Sequence, residues 1–192
     1  MKKSPIIIGL IGEKGGGKGT VSEYLINNYG AAHFGTSKIL KQTVDGLHLP
    51  ATRDNLIKLA LVLKNGFWPS VVIDSLIQDI EEKHGQHPII IADGIRMHGD
   101  VEPFRKKYKK NFYLVYVTAD LKIRYERTKK RKEKVGEDKT TLAQFIAEEH
   151  RLTEVCIREI GEHADFILTN NTDEKGLKKQ IKAMMIKILG KS

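Results

Sequence analysis

The sequence predicts a three-layer α/β/α fold in which a five-stranded parallel sheet lies between two layers of helices. Two continuous apolar runs, Ile6–Ile11 and residues 88–92, are typical of strands buried on both faces of a parallel sheet. Amphipathic helical patterns alternate with such runs along the chain, and neighbouring parallel strands require helical crossovers. With 192 residues and no low-complexity linker, the chain is expected to form a single domain over residues 1–192.

The other elements follow from the hydrophobic periodicity in chain order. Residues 21–29 predict an amphipathic helix, and residues 31–34 a weaker strand. Apolar residues spaced i, i+3, i+4 and i+7 then predict a helix that ends at Asn65-Gly66, and a second helix capped by Ser70 follows it. The last predicted elements are strands over Phe112–Thr118 and residues 166–168, and a helix with the core residues Leu177, Ile181, Met184, Met185 and Ile188.

The excess of positive charge indicates an anionic partner. The formal net charge is +9, and the basic residues concentrate in residues 105–110 and 122–134. No apolar segment approaches the ~18 residues that a membrane-spanning helix requires, so no membrane association is expected. The single cysteine, Cys156, excludes an internal disulfide and fits a reducing cytoplasm.

The strongest motif is a glycine-rich segment, residues 12–20, between the first strand and the first helix. Its glycines allow the backbone to aim successive N–H groups inward, and Lys18 with the helix N-terminus adds positive potential. This is a P-loop, whose ligand is a polyphosphate. The standard P-loop has Ser or Thr directly after the lysine as a Mg²⁺ ligand, but here Gly19 fills that position and Thr20 comes one residue later. The predicted polyphosphate-binding residues of the loop are Gly12, Lys14, Gly15, Gly16, Gly17, Lys18, Gly19 and Thr20.

The spelling GxxGxGKGT resembles the nucleoside monophosphate kinase family, adenylate kinase in particular. The resemblance extends along most of the chain and implies a P-loop NTPase fold with two additions, a helical acceptor-binding arm at about residues 35–85 and an arginine-rich lid at about residues 124–151. It also implies that ATP and Mg²⁺ are the cofactors and that a nucleotide is the acceptor. The family transfers the γ-phosphoryl group between nucleotides, and Lys18 is expected to act in that step.

The resemblance also implies acceptor-binding residues at the ends of two strands. Thr36 and Lys41 match the family's acceptor element, although the family usually has arginine where Lys41 stands, and Arg53 could supply that guanidinium. Asp93-Gly94-Ile95-Arg96 is similar to the family's Asp-Gly-Phe-Pro-Arg, one residue shorter. A carboxylate at the end of a strand beside the loop can hold Mg²⁺ directly or through its waters, and an arginine offers a fork to the acceptor phosphate. Asp93 and Thr20 are thus the metal candidates, and Gly94 and Arg96 belong to the acceptor site.

The predicted lid begins with a helix that Asp120 can cap. Arg124, Arg127 and Arg131 lie three, four and seven residues apart, which places them along one face of that helix. Closing arginines over the phosphates would neutralise charge and exclude water. The resemblance assigns Arg124 to ATP, and Arg127, Arg131 and the later Arg151 to the transferred group. Asn170 and Asn171 follow the last strand, where the family contacts adenine through the backbone.

Two other functions remain open at this point. One is phosphorylation of the 3′-hydroxyl of dephospho-coenzyme A, which requires a base near the end of the second strand, where this sequence has Thr36-Ser37. The chain also resembles a poorly characterised archaeal branch of adenylate-kinase-related proteins, so the family does not decide the acceptor.

The second alternative function is that of a nucleic-acid-associated P-loop ATPase, which the charge permits but no nucleic-acid module supports. A monomer is the default expectation, with an oligomer left open.

Overall fold

A single five-stranded sheet organises the protein. The computed structural model describes residues 4–85, 87–131, 140–150 and 154–190. All strand pairs are parallel, and the strand order is β2-β3-β1-β4-β5. The strands are β1 (Ile6–Ile11), β2 (Ala32–Gly35), β3 (Ile89–Asp93), β4 (Phe112–Thr118) and β5 (Phe166–Thr169). The predicted fold class is therefore confirmed, and all five strands lie within two residues of their predicted bounds.

The helices lie on both faces of this sheet and in an arm beside it. A short 3-10 turn, His98–Asp100, follows β3. The α-helices of the described residues are α1 (Lys18–Tyr29), α2 (Thr36–Gly46), α3 (Arg53–Gly66), α4 (Val71–Lys83), α5 (Glu102–Tyr108), α6 (Leu121–Arg131), α7 (Leu142–Glu149), α8 (Ile157–Glu162) and α9 (Glu174–Leu189).

Two apolar cores, one on each face of the sheet, produce the three layers. On one face Ile7 of β1 is fully buried with Ile73 of α4 and Phe104 of α5. On the other face Ile8 packs with Val21 of α1 and with Met185 of α9. Successive residues of β1 enter opposite cores because side chains alternate along a strand. The central strand is thereby fixed on both faces, and its carboxyl end presents the glycine-rich segment from a rigid support.

The predicted acceptor arm consists of α2, α3 and α4, which pack against one another. No residue of α3 is fully buried, although its sequence is rich in leucine. Thr52 caps α3, since its hydroxyl accepts a hydrogen bond from the Asn55 backbone N–H at 3.2 Å. Ser70 directly precedes α4 as predicted, but its hydroxyl donates to Asp74 Oδ2 at 2.8 Å and caps no backbone N–H.

Among the described residues, no single helix is long and apolar enough to cross a membrane. The pair α3 and α4, bent by 100° at the junction, meets that requirement by length and composition only.

Candidate active site

The glycine-rich segment forms a tight loop between β1 and α1. Gly12, Gly15 and Gly17 have positive φ angles, which L side chains rarely adopt. Gly17 ends the loop with φ 113°, and a Cβ atom at this position would lie 2.3 Å from the Asn170 side-chain nitrogen. By contrast, Gly19 is exposed in the first turn of α1, and a Cβ atom there would meet nothing within 4 Å. The backbone conformation therefore favours glycine at position 17, whereas the packing leaves room for a side chain at position 19.

Lys18, the first residue of α1, folds back over this loop. Its ammonium group donates hydrogen bonds to the carbonyl oxygens of Gly12 and, at 3.3 Å, of Glu13. Burial lowers the pKa of Lys18 below the ordinary lysine value, while the negative charge of Asp93 opposes that shift. A cation that is largely withdrawn from water and held on the carbonyl oxygens of this loop is stabilised further when an anion binds beside it.

The predicted metal candidates, Asp93 and Thr20, lie at the end of β3 and in the first turn of α1. Asp93 ends β3, and its Oδ2 lies 3.6 Å from Nε2 of His33 on β2. Burial tends to raise the pKa of Asp93, but the interaction with His33 and the positive charge of Lys18 outweigh burial and lower the pKa of Asp93 below its usual value. Thr20 is partly exposed in the first turn of α1. One carboxylate and one hydroxyl fit Mg²⁺, which keeps waters and takes ligands from phosphates.

Among the described residues, no group of three or more His, Cys, Asp or Glu side chains is placed to bind a metal ion.

Two of the predicted acceptor residues are in close contact. Thr36 is buried at the start of α2, and its hydroxyl packs against Gly94. A Cβ atom on Gly94, whose φ is 106°, would come within 2.0 Å of Thr36 Oγ1. The strand-end turn and the acceptor arm thus meet at this glycine. Lys41 lies further along α2, where it is exposed.

The two predicted acceptor arginines converge on one carboxylate. Arg53 of α3 and Arg96 after β3 both contact Oε1 of Glu154, Arg53 at 3.3 Å. Glu148 of α7 behaves similarly, because its Oε2 accepts from Lys14 at 3.2 Å and from Arg53 at 3.0 Å. The loop, the acceptor arm and the predicted lid are thus joined by ion pairs around a small cavity, whose lining includes Glu13 and Phe145.

The lid arginines that the structure describes are bonded to protein groups. The Arg124 side chain is 7% exposed and contacts the Ala119 and Lys14 carbonyls and Glu149. Arg127 donates to the backbone carbonyl of Asn170 at 2.8 Å and to that of Thr172 at 3.2 Å. The side chain of Arg131, at the end of α6, and all of Arg151 lie outside the described residues.

Asn170 and Asn171, the predicted adenine contacts, connect the segment after β5 to the glycine-rich loop and to the segment after β4. The Asn170 side chain donates to the Gly16 carbonyl at 3.0 Å, and its backbone N–H donates to the Thr118 carbonyl at 2.7 Å. The Asn171 side chain exchanges two hydrogen bonds with Asp120. Both backbone groups of Asn170 are engaged, since its carbonyl accepts from Arg127. An adenine contact through them would require an exchange of partners.

The sequence did not reveal a buried ion pair between Asp100 and Lys64 of α3. Their side chains are 3% and 10% exposed. The Asp100 carboxylate also accepts hydrogen bonds from the backbone N–H groups of Arg96 and Met97, both at 2.9 Å. It therefore closes the turn that carries Arg96 and ties that turn to the arm. The four-residue spacing from Arg96 to Asp100 was the available signal.

A second unpredicted contact lies beneath the loop. Tyr116 of β4 donates a hydrogen bond to Oε1 of Glu13, whereas the buried Oε2 atom of Glu13 has no hydrogen-bond partner in the described structure. Burial, together with this hydrogen bond, raises the pKa of Tyr116 to about 12. No sequence pattern linked these two residues.

Comparison with known proteins agrees with this geometry. The sequence profile of the AAA domain family matches residues 8–139, which is more than two thirds of the chain and includes the glycine-rich loop.

Curated relatives come from archaea. A UPF0200/UPF0201 protein of Archaeoglobus fulgidus is 25% identical over 95% of this chain, and the match covers 55% of that longer protein. UPF0200 proteins of Pyrococcus furiosus and Pyrococcus abyssi are each 23% identical, and the matches cover 96% and 97% of their lengths. The chain therefore spans about half of the first relative and nearly all of the other two.

Solved structures share the fold at low sequence identity. TT1252 from Thermus thermophilus is 18% identical with a TM-score of 0.60, and the match covers 96% of this chain and 98% of that one. A shikimate kinase from Bacteroides thetaiotaomicron has a TM-score of 0.61 at 11% identity, over 96% of this chain and 98% of that one. The shikimate kinase from Acinetobacter baumannii, solved with shikimate, has a TM-score of 0.55 at 15% identity, over 98% and 96%. These matches show that the chain shares its fold with these proteins, two of which are shikimate kinases, and they do not single out adenylate kinase.

Proposed function

The chain belongs to the AAA domain family, and from that premise we propose that it is an ATP-dependent phosphotransferase. The reaction that its residues support best moves the γ-phosphoryl group of Mg-ATP to a small acceptor that already carries a phosphate. A nucleoside or deoxynucleoside monophosphate is the acceptor class that we favour.

One observation carries the acceptor assignment. Arg53 and Arg96 come from different parts of the chain, yet both reach the same carboxylate oxygen of Glu154. Two guanidiniums that converge on one oxygen form a binding site for an anion, and phosphate suits their forked geometry. Arg53 also joins Glu13 and Lys14 of the loop in lining one cavity. An anionic acceptor held by the two arginines would therefore lie next to the donor phosphates.

The donor side consists of the loop and Lys18. The backbone N–H groups of a glycine-rich turn and the N-terminus of α1 favour a polyphosphate. Lys18 has a lowered pKa because it is buried, and phosphate oxygens would restore the stabilisation of its charge. Thr20 and Asp93 would hold Mg²⁺, which would offset the phosphate charge.

The residues of the chain would position the reactants rather than take part in covalent chemistry. A loose phosphoryl-transfer transition state mainly needs alignment and charge neutralisation, which Lys18, Arg96 and the lid arginines Arg127, Arg131 and Arg151 would supply. A phosphate acceptor is already anionic, so no general base is needed. This agrees with the absence of a carboxylate at Thr36-Ser37, the position at which a hydroxyl acceptor would need one.

A coupled ADP-release assay tests the proposal. Mg-ATP would be presented with AMP, CMP, UMP, GMP, their deoxy forms, dephospho-coenzyme A and shikimate. We expect one of the monophosphates to give the strongest rate, and the K18A protein to give none. If dephospho-coenzyme A or shikimate alone responds, the acceptor assignment is wrong while phosphotransfer stands. If no compound responds and calorimetry detects no ATP binding, the proposed activity is wrong.

A further inference from the structure

The carboxylate of Glu154 occupies the position that an acceptor anion would need. Its side chain is only 8% exposed and contacts Arg53 and Arg96 through the same oxygen. Arg96 is itself 45% exposed and would otherwise face solvent. The two guanidiniums are therefore held by a group of this chain.

Charge determines whether an incoming group can replace this carboxylate. Glu154 offers one negative charge, whereas a phosphate monoester carries about −1.5 to −2 at neutral pH and has three acceptor oxygens. Glu154 is also tethered close to the arginines, so it does not lose translational freedom when it binds them. A free monoanion has no advantage in charge and pays that entropic cost, whereas a dianion gains additional attraction from both guanidiniums.

We propose that Glu154 is a specificity-determining residue of the acceptor site, an internal carboxylate that competes for Arg53 and Arg96 and yields only to a dianionic phosphate. The inference rests on the proposed function for the identity of the acceptor site, and it adds the rule by which that site rejects carboxylates and other monoanions. A competing interaction of this kind lowers the affinity of every ligand, so that only the ligand with the strongest attraction to the arginines still binds.

A second carboxylate follows the same pattern. Glu148 holds Arg53 from the other side at 3.0 Å and also holds Lys14 of the loop at 3.2 Å. Arg53 is therefore shared between two carboxylates. Both carboxylates would have to release Arg53 before its guanidinium could bind a substrate phosphate fully. Neutralising either carboxylate should free the same guanidinium.

A purely structural role for Glu154 predicts the opposite change in anion affinity when Glu154 is replaced. If Glu154 served only to hold the arginines in a binding geometry, its loss would disorder them and weaken anion binding. If Glu154 competes with the anion, its loss strengthens binding. Glu154→Gln separates the two because it removes the charge while it preserves the size and polarity of the side chain.

Calorimetric titration with inorganic phosphate, and separately with acetate, tests the inference near neutral pH. The E154Q protein should bind phosphate at least about fivefold more tightly than the wild-type protein, the lower end of typical coupling between sites. Acetate should bind detectably to E154Q and not to the wild type. The E162Q protein is the matched control, because Glu162 pairs with Arg158 on the surface of α8, and its phosphate affinity should equal that of the wild type.

Unchanged or weaker phosphate binding by folded E154Q would overturn the inference, as would equal tightening in E162Q. If E154Q fails to fold by circular dichroism, E148Q provides the same test through Arg53, with the same expected direction. The titration contains no ATP, so its outcome is independent of the ADP-release assay. Transfer activity without tighter phosphate binding would refute only the competition, and tighter binding without transfer would refute only the proposed reaction.

Discussion

The buried pair of Lys64 and Asp100 makes a quantitative prediction about stability. Asp100→Asn keeps the size of the side chain and one oxygen that can accept from the backbone N–H groups of Arg96 and Met97. It removes the negative charge opposite Lys64, whose side chain is only 10% exposed. An ammonium group left without its counterion in such a site pays a desolvation cost that water cannot repay.

The expected cost is large for a single substitution. Breaking a buried pair by removing one partner typically costs about 3–5 kcal/mol, which corresponds to a fall in Tm of roughly 6–20 °C for a chain of this size. Lys64→Met should cost less, about 1–3 kcal/mol, because Asp100 would keep its two backbone donors at 2.9 Å. The double variant leaves no unpaired charge, so its cost should be below the sum of the two single costs.

Urea denaturation followed by circular dichroism measures these differences. The matched control is D79N, because Asp79 pairs with Lys83 at the surface of α4, and it should leave the midpoint close to that of the wild type. A loss below about 1 kcal/mol in D100N, or strictly additive costs in the double variant, would refute the argument that this pair is a buried and coupled unit.

Further predictions concern the loop and the strand beneath it. Lys18→Ala should abolish phosphoryl transfer in the ADP-release assay while the circular dichroism spectrum stays unchanged; near-normal turnover would remove Lys18 from the mechanism. Gly17→Ala should weaken ATP binding in calorimetry, because its Cβ would lie 2.3 Å from a neighbouring side chain, whereas Gly19→Ala should be tolerated. Equal effects of the two would contradict the loop geometry. Tyr116 has a raised pKa in the folded state, so the stability that it contributes is present below pH 10 and is lost as the pH rises through about 12. Unfolding titrations of Tyr116→Phe should therefore show less loss over that range than the wild type, and an identical profile would exclude the contact with Glu13.

The sequence predicted the sheet well because each strand signal is local. A run such as Ile6–Ile11 contains enough apolar residues to indicate a strand buried on both faces without knowledge of its neighbours. Short helices were harder to predict from the sequence. The seven-residue helix α5 has too few turns to show periodicity. Helix α2, Thr36–Gly46, was covered only by the expected helical arm at about residues 35–85 and was not predicted as a separate element.

The candidate site shows the same division between local and distant information. The glycine loop could be recognised because its residues are contiguous and because several of them have positive φ angles, which favour glycine whatever the distant neighbours are. The partners of the arginines could not be recognised. Arg96 meets Glu154 across 58 residues, and Arg53 meets Glu148 across 95. With 24 acidic residues in the chain, spacing alone cannot select these two.

The contacts of α6 constrain how the predicted lid can act. Arg127 holds the Asn170 carbonyl, and the Asn170 side chain holds the Gly16 carbonyl, so α6 is linked to the phosphate loop through one asparagine. Arg124 is attached to the same loop through the Lys14 carbonyl. If either arginine turned toward a phosphate, it would release a contact that shapes the loop, and the gain in phosphate attraction would be offset by a less ordered cradle.

A closing motion that keeps both contacts would have to move α7 relative to α6 rather than α6 relative to the loop. The ion pairs that Glu148 and Glu149 form with Lys14 and Arg124 are the contacts that such a motion would break. If the predicted lid closes in this way, the carboxylates of α7 would set the free-energy cost of closure, and the charge of an incoming nucleotide would offset it.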